Sequence, residues 1–569
     1  MIPIRGNKIN KYALAGLVVA IFLLSSFSIM NNSASSFKPD DLKTTTINAD
    51  QYEFNISSVL GDNGGEAYSI NVDSNGNIII SGITFGNLPT LNADNATYGG
   101  NTDGFVTKFS KSGSLLFSTY LGGNSDDEIE AMAVDSAGNI YVSGYTVSPD
   151  FQTKNAYNST YAGNAASDGF VAKYNPSGVL QFSTYFGGAS YDDATNLGVD
   201  SAGNVYIGGS TLSVDFPTLN AWNATHSAGN DAFLAKLDTN GNLLFSTFVG
   251  GSLNEQFNAL VVTPQGVFAC GQTDSSDFPV SGDAFNSTSS GATDVMITKF
   301  NSTGYLTYSS YLGGSFYDSC FNIKADVSGN YYVVGQTGST NFPTTSDAFN
   351  TSFNGGSGDV FYSKFSSTNT LMYSTYYGSI GWDKVTGLAL DFNNNVYISG
   401  TTTNDSLPLM QPLSTYNGGI YDGFIAKFNS TGSLIFSTYF GGSDIDQCDD
   451  IFVDPIYQTI YTAGSTSSTD FSLVDSYSNN LTFGTIYFNK FSTPQIISAT
   501  TTTTTTSTST STSTFTSTQA PPTTSISITS SSSTTSETSG NSPGFTTLTV
   551  LFGLMTLFVF ISLRRKRNE

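Results

Sequence analysis

Hydrophobic and polar positions alternate in short stretches throughout the middle of the chain. In one example, Ile129 to Asp135 reads IEAMAVD, a Ser-Ala-Gly-Asn turn follows, and Ile140 to Gly144 reads IYVSG. Further along, Gly169 to Tyr174 and Leu180 to Phe186 are separated by the turn Asn-Pro-Ser-Gly. Alternation with a period of two, bounded by Asn, Ser and Gly, predicts antiparallel strands joined by tight turns. We therefore expect four-stranded antiparallel meanders without helices.

One unit with four such strands recurs about every 64 residues along the middle of the chain. One of its strands begins with aspartate, at Asp103, Asp168, Asp231, Asp294, Asp359 and Asp422, with Thr485 in the seventh copy. The same strand carries a lysine in every copy, at Lys108, Lys173, Lys236, Lys299, Lys364, Lys427 and Lys490. This repetition predicts a role for the lysine inside each unit, such as pairing with a neighbouring carboxylate. Seven four-stranded units predict an all-β, seven-bladed β-propeller.

The chain order of the strands predicts how the ring closes. The last unit ends at Phe491 without an outer strand, whereas Phe54 to Gly61 at the front resembles the outer strand Leu116 to Gly122. We therefore expect the N-terminal strand to complete the last blade, which hides the sheet edges that a linear array would leave open. The predicted propeller covers residues 51–492.

The two ends of the chain predict export and anchoring. Residues 1–36 combine basic residues, an apolar run and a small polar segment, which indicates either a cleaved signal peptide or an uncleaved anchor. Residues 37–50 are a predicted linker, and residues 493–541 are a predicted Ser/Thr-rich stalk. Within 542–569, an uncharged run precedes a basic cluster, which predicts a C-terminal transmembrane helix with a cytoplasmic end. The propeller would then lie outside the cell, at its surface.

The charge balance narrows the choice of partners. The chain has 44 acidic and 20 basic residues, a formal net charge of −24 at pH 7. Because phosphate binding needs a basic face, nucleic acid is excluded as a partner. Hydrophobic residues make up 38% of the chain and aromatic residues 13%, which is enough for a large core and excludes disorder throughout.

Two parts of the chain resemble known families. Ser118 to Gly123 (STYLGG), Ala133 to Gly144 (AVDSAGNIYVSG) and Asp215 to Pro217 (DFP) are similar to the SBBP repeats of seven-bladed propellers. This resemblance implies the propeller fold and a surface context, with no agreed biochemical activity. Ser542 to Phe545 (SPGF), with the apolar run and basic end after it, resembles the PGF-CTERM tails of archaeal surface proteins. That resemblance implies an archaeosortase-type processing enzyme that replaces the span with a lipid, while a plain single-pass anchor predicts the same topology.

A repeated carboxylate is the strongest candidate for chemistry. It stands at the start of the predicted innermost strands, at Asp127, Asp192, Glu255, Asp318, Asp383 and Asp446, whereas blade one has Gly65 beside Glu66. The predicted topology brings these acids to one end of the channel, where a ring of them would bind Ca²⁺ weakly and collectively. Alternatively, each acid caps backbone N–H groups of its own turn after the Gly-Gly pair. No other cofactor and no catalytic residue follow from the sequence.

Asn-x-Ser/Thr sequons are a second periodic feature, and most of them fall one per blade in the long loop between the second and third strands. They predict N-glycosylation of exposed loops. The candidate asparagines are Asn55, Asn95, Asn158, Asn223, Asn286, Asn301, Asn350, Asn404, Asn429 and Asn480.

Enzyme chemistry has little support in the sequence. His226 is the single histidine, and no zinc spacing, nucleophile elbow or phosphate loop occurs. Cys270 and Cys320 fall in neighbouring blades, where a disulfide is a candidate pairing. The leading hypothesis is a non-enzymatic cell-surface glycoprotein for adhesion, envelope architecture or binding of an extracellular protein or glycan. The alternative is an extracellular polysaccharide hydrolase or lyase that uses acidic residues at the channel mouth.

Overall fold

A computed structural model describes residues 52–60, 64–482 and 484–492. The predicted signal or anchor, linker, stalk and C-terminal transmembrane helix lie outside these residues. Within them every named element is a strand, and we find no helix there with the length and apolarity needed to cross a bilayer.

The strands are β1 (Glu53–Leu60), β2 (Gly65–Val72), β3 (Ile78–Thr84), β4 (Asp103–Phe109), β5 (Leu115–Leu121), β6 (Asp127–Val134), β7 (Ile140–Thr146), β8 (Asp168–Tyr174), β9 (Leu180–Phe186), β10 (Asp192–Val199), β11 (Val205–Thr211), β12 (Asp231–Leu237), β13 (Leu243–Val249), β14 (Glu255–Thr263), β15 (Gly266–Thr273), β16 (Asp294–Phe300), β17 (Leu306–Leu312), β18 (Asp318–Ala325), β19 (Tyr331–Thr337), β20 (Asp359–Phe365), β21 (Leu371–Tyr377), β22 (Asp383–Leu390), β23 (Val396–Thr402), β24 (Asp422–Phe428), β25 (Leu434–Phe440), β26 (Asp446–Val453), β27 (Ile460–Thr466) and β28 (Thr485–Ser492).

These strands pair into seven four-stranded antiparallel sheets, the blades. Blades one to six follow in chain order from β2-β3-β4-β5 to β22-β23-β24-β25, and blade seven is β26-β27-β28-β1. The first strand of each blade contacts the first strands of both neighbouring blades. These seven innermost strands therefore surround a central channel, and the predicted seven-bladed propeller is confirmed.

The N-terminal strand closes the ring, as predicted. It pairs with β28 in a register that runs from Glu53 opposite Ser492 to Leu60 opposite Ile486. Because β1 runs toward the start of β2, Glu53 and Ser492 lie at the end of the propeller opposite the starts of the innermost strands. We call the end with those starts the mouth face, and the end with Glu53 and Ser492 the exit face.

The hydrophobic core lies between adjacent blades. One cluster joins Ile79 and Val106 of blade one to Ile129, Val142 and Phe170 of blade two, and all five side chains are fully buried. A corresponding cluster joins blade seven to blade one, so the ring is packed without a seam. Since each blade supplies only half of every cluster, one blade alone would expose much of its apolar surface.

Tight turns on the exit face join the first and second strands of each blade. In blade two, Asp135 Oδ1 accepts the N–H groups of Ala137 and Asn139, both at 2.9 Å. Gly138 in this turn has φ of +83°, a conformation that glycine adopts without strain. The Asp-x-x-Gly-Asn pattern therefore determines the turn locally.

The predicted role of the repeated lysine inside its own blade is only part of what the structure shows. In blades one, two and four its ammonium group also donates to a backbone carbonyl in a turn of the next blade, at Pro176, Thr239 and Ser367. Ion pairs form in blades one and three, where Lys108 Nζ lies 2.9 Å from Asp73 Oδ2 and Lys236 Nζ lies 3.2 Å from Asp200 Oδ2. In the other blades the lysine lies over a ring of its own second strand, namely Tyr141, Phe268, Tyr332, Tyr397 and Tyr461. The aromatic face attracts the ammonium group, and in several blades the tyrosine hydroxyl also bonds the turn aspartate.

Cys270 and Cys320 form a disulfide that links blade four to blade five, as the sequence suggested. Cys448 of blade seven is a buried free thiol. Burial raises the pKa of the Cys448 thiol, so it stays protonated and unreactive at neutral pH.

Candidate functional site

The repeated acids lie at the mouth face, each as the first residue of an innermost strand, and each is at most 1% exposed. Asp127 Oδ2 accepts the Gly123 N–H at 2.7 Å and the Ser148 hydroxyl at 2.8 Å. In all six blades the carboxylate accepts the N–H of the residue four positions earlier, at 2.6 to 2.7 Å. A carboxylate that caps the backbone N–H groups of its own turn makes hydrogen bonds of this kind.

Each capping acid has a second acid close to it, the aspartate that begins the third strand of the preceding blade. A methyl group on Gly313 would lie 2.2 Å from Asp294 Oδ1 and 2.8 Å from Asp318 Oδ2, so both carboxylates border the same glycine. Asp294 Oδ1 is buried and has no hydrogen-bond partner. Burial raises the pKa of Asp318 to about 6, and the charge of Asp294 adds to the shift. Because the two carboxyl groups of such a pair are buried close together, ionising them costs free energy in the folded protein.

The cation ring stays a prediction. Within the described ranges, no group of three or more His, Cys, Asp or Glu side chains is arranged to hold a metal ion. The six capping acids stand in six separate blades and each accepts hydrogen bonds from its own turn, while the second carboxylate oxygen of Asp127, Asp192, Asp318 and Asp446 is buried without a hydrogen-bond partner.

We expect Asp192→Ala to lower the free energy of unfolding by about 2 to 5 kcal/mol, because it leaves the buried Gly188 N–H and Ser213 hydroxyl without their acceptor. Val214→Ala, at an 80% exposed position nearby, is the control and should change it by less than about 0.5 kcal/mol. Thermal melts in EDTA and in millimolar Ca²⁺ should show the same loss. A loss that appears only with Ca²⁺ would favour the cation ring over the turn cap.

The channel wall is formed by side chains that alternate with the buried positions of the innermost strands. The residue directly after each capping position faces the channel, and around the ring from blade one to blade seven these residues are Glu66, Glu128, Asp193, Gln256, Ser319, Lys384 and Gln447. The next channel-facing level consists of Tyr68, Glu130, Thr195, Asn258, Phe321, Thr386 and Asp449. Three adjacent blades thus place acids at the mouth, and a lysine lies on the other side of the ring.

The charged side chains of the wall act on one another. The pKa of Glu130 is raised to about 8, mainly by burial and then by the charges of Glu128, Asp193 and Glu66, while Lys384 opposes the shift. Lys384 belongs to blade six, so its charge acts on blade two across the channel. The Lys384 ammonium lies 5.3 Å from the centroid of the Phe321 ring. The mouth is therefore polarised, with negative charge on blades one to three.

Hydrogen bonds between neighbouring innermost strands hold the channel wall in place. Asn258 Nδ2 donates to the Cys320 carbonyl at 2.8 Å, and Thr386 Oγ1 donates to the Cys448 carbonyl at 2.6 Å. At the junction between blades seven and one, Asp450 Oδ2 accepts the Ile70 N–H at 3.0 Å. Because these bonds link successive blades, the spacing of the charged side chains is set by the ring itself.

Sequence reasoning missed this polarised wall, except that it noted Glu66 beside Gly65. The signal was available in the repeats, since the residue after the repeated acid varies among Glu, Asp, Gln, Ser and Lys while the flanking positions stay similar. The capping acids were found because they recur in six blades. The residues that line the channel differ from blade to blade, so a search for repeated residues does not find them.

Five of the sequon asparagines occupy the same kind of turn, which is bonded to the outer strand of their blade. Asn95 donates its N–H to Thr119 Oγ1 at 2.9 Å, and its Oδ1 accepts the Thr97 N–H at 2.9 Å. The same turn recurs at Asn158, Asn223, Asn286 and Asn350. The periodic spacing therefore has a structural cause, and glycosylation stays a prediction. His226 is half-buried beside Phe248 and away from the channel.

Comparison with known proteins supports the repeat type. A family model described as SBBP, beta-propeller repeat, matches residues 116–152, 181–217 and 373–408. The chain is also 27% identical over 368 residues to regulatory protein FlaEY of Caulobacter vibrioides, covering 61% of this chain and 37% of that protein. The chain thus matches little more than a third of the length of this bacterial relative. The archaeal sorting tail lies outside the described residues.

Solved structures with a similar arrangement include the Pan2 WD40 domain of Neurospora crassa, with 10% identity and a TM-score of 0.39 over 78% of this chain and 98% of that one. Sqt1 of Chaetomium thermophilum has 9% identity and a TM-score of 0.36 over 73% of this chain and 82% of that one. The fold assignment is based on the pairing of the strands in this structure. The protein is a seven-bladed β-propeller that carries SBBP beta-propeller repeats.

Proposed function

We propose that the protein is a non-enzymatic cell-surface propeller that binds an extracellular ligand at its channel mouth. The carrying observation is that seven blades with similar buried residues differ at the channel-facing positions, where Glu66, Glu128 and Asp193 lie on one side and Lys384 on the other. A purely structural ring needs no such difference. Residues that break the repeat at a concave, solvent-accessible place are typical of a specific binding site.

The role at the cell surface is carried by the predicted export signal and C-terminal anchor. Glu53 and Ser492, the outermost described residues of strands β1 and β28, pair at the exit face. Adhesion and envelope architecture are two settings in which such a site would act. The proposal includes replacement of the predicted C-terminal span with a lipid by an archaeosortase-type enzyme.

Protease added to intact cells tests the surface assignment. We expect it to release the propeller as a stable fragment by cutting the segments outside residues 52–492, because the strands are hydrogen-bonded and closely packed. A cytosolic protein protected until the cells are lysed would overturn the assignment. A cytosolic marker protein that stays intact during the treatment is the control for lysis.

Binding to the envelope tests the site. The purified full chain should bind envelopes of the producing cells, and the double variant Glu66→Gln, Glu128→Gln should bind at least about tenfold more weakly, since it removes two charges of the polarised wall. The exposed exit-face pair Val327→Ser, Phe392→Ser is the control and should bind like the natural chain. Equal binding by all three proteins would refute a ligand site at the mouth.

A second candidate is an extracellular polysaccharide hydrolase or lyase. The observation that favours it is the pair Glu128 and Glu130, because a carboxyl group with a pKa of about 8 stays protonated near neutral pH, as a general acid must. The capping acids are too buried for this role. Release of reducing ends from envelope polysaccharide, lost in Glu130→Gln and kept in Gln256→Asn, would favour this candidate over a non-enzymatic one.

A further inference from the structure

The mouth face carries an exposed apolar rim beside the polarised channel wall. The turns that lead into the innermost strands of blades three to six expose Tyr191 (49%), Leu253 (51%), Phe316 (68%), Tyr317 (38%) and Ile380 (67%). We call these five residues the rim. They precede the capping acids by one to three positions, so they stand beside the channel mouth.

The rim occupies only part of the circle. In blade two the same turn contains Asn124 and Ser125, and in blade seven it contains Ser443 and Asp444. The acids Glu66, Glu128 and Asp193 occupy blades one to three, whereas the rim extends over blades three to six. The acids of the first channel-facing level thus lie on blades one to three, whereas the exposed apolar side chains of the turns lie on blades three to six, where Asp274 and Asp277 also stand beside the turn of Leu253.

The turns that present the rim are held rigidly. The Phe316 N–H donates to Ser339 Oγ at 2.8 Å, and the Leu253 N–H donates to Ser275 Oγ at 2.7 Å. The Tyr317 hydroxyl donates to Gln272 Oε1 at 3.1 Å. Because backbone bonds fix these turns, the apolar side chains are presented to solvent in the folded state, and exposed apolar groups next to charge are typical of interaction surfaces.

We propose that the mouth face docks a polypeptide segment of a partner protein that carries a lysine or arginine flanked by apolar residues. The cation would lie toward the acids of blades one to three, and the apolar residues would cover the rim. Charge complementarity selects a cationic partner, because the charged wall holds three acids against one lysine at its first level. The rim combines the aromatic rings of Tyr191, Phe316 and Tyr317 with the aliphatic side chains of Leu253 and Ile380, and the apolar side chains of a polypeptide would cover both kinds. This inference rests on the proposed ligand binding at the mouth and names its ligand class.

Selection from a phage-displayed library of random peptides tests the inference on the purified full chain. We expect enriched peptides to place Lys or Arg next to apolar residues. Synthetic copies should bind at least about tenfold more weakly to Leu253→Ser, Phe316→Ser, Ile380→Ser and to Glu66→Gln, Glu128→Gln, Asp193→Asn. The exit-face control Val327→Ser, Phe392→Ser should change their affinity less than about twofold.

A gain of affinity separates docking from damage to the fold. Lys384→Gln removes the one positive charge from this level of the wall, so it should tighten binding of the basic peptides, and added salt should weaken that binding. Peptides without basic residues, or peptides that bind the mouth variants unchanged, would overturn the inference. Neutral glycans that bind the natural chain and fail on the mouth variants would overturn it too, while leaving the proposed mouth site standing. Envelope binding that ignores every mouth variant would instead refute the proposed function itself.

Discussion

Deletion of Glu53–Leu60 should leave the propeller unable to fold as a monomer. The missing strand is the outer strand of blade seven, and its removal exposes the whole edge of β28. It also removes Val59 and Leu60, which are fully buried in clusters shared with blades six, seven and one. An open strand edge invites pairing with other chains, so we expect aggregates in size-exclusion chromatography instead of a sharp monomer peak.

Point variants test the same strand without removing it. Leu60→Ala should lower the free energy of unfolding by about 2 to 5 kcal/mol, since it opens a cavity at a fully buried site. Leu116→Ala is the matched control, because Leu116 lies in the outer strand of blade one and is 38% exposed. A deleted chain that stays monomeric with an unchanged melting temperature would mean that β1 does not close the ring.

The melting temperature should rise as the pH falls from 8 to 5. Burial raises the pKa of Asp127, Asp192 and Asp359 to about 7 and that of Asp168, Asp318 and Asp422 to about 6. A carboxyl group whose pKa is higher in the folded state binds its proton more tightly there, so folding is favoured below that pKa. The stabilisation is fully present below the unfolded pKa near 4 and is lost as the pH rises through the folded values of about 6 and 7.

Further acidification should reverse the trend. Burial of Asp73 by itself would raise the pKa of its carboxyl group, but hydrogen bonds from Lys108 and Asn77 outweigh burial and lower this pKa. Hydrogen bonds from Asn139 and Tyr141 likewise outweigh burial and lower the pKa of Asp135. Groups with lowered pKa stabilise the folded state above their unfolded values near 4, and this stabilisation is lost as the pH falls through the folded pKa. The stability maximum should therefore lie at about pH 4 to 5.

Asp359→Asn isolates one group of the pH response. Asp359 is fully buried and its Oδ1 has no hydrogen-bond partner, so the neutral amide should remove the cost of ionisation and flatten the decline between pH 5 and pH 8 by about 1 kcal/mol or more. Asp405→Asn, at an exposed position, is the control and should leave the slope unchanged. Melts of both variants by circular dichroism across this pH range provide the measurement. A natural chain whose stability is flat or rises between pH 5 and pH 8 would contradict the prediction.

Local signals in the sequence determined most of the architecture. Alternating apolar positions and the Asp-x-x-Gly-Asn turns specify each hairpin, because the side-chain period of a strand and the φ of a turn glycine are local properties. The unpaired outer strand at the front of the array was enough to predict closure by Phe54 to Leu60. The sequence also left two uses open for Asp127 and its equivalents, since composition does not reveal which donors a carboxylate will meet.

Only the tertiary structure decided where charge and apolar surface come together. Glu130 and Lys384 are far apart in sequence and belong to blades two and six, yet their charges interact across one channel. The rim residues, such as Phe316 and Ile380, were not distinguishable in the sequence from apolar residues of the core. Likewise, nothing in the sequence showed that the repeated lysine would lie over an aromatic ring of its own blade. These outcomes depend on closure of the ring, because closure brings strands that are distant in sequence to one axis. Their position around this axis determines which side chains are buried, which are exposed and which charges interact.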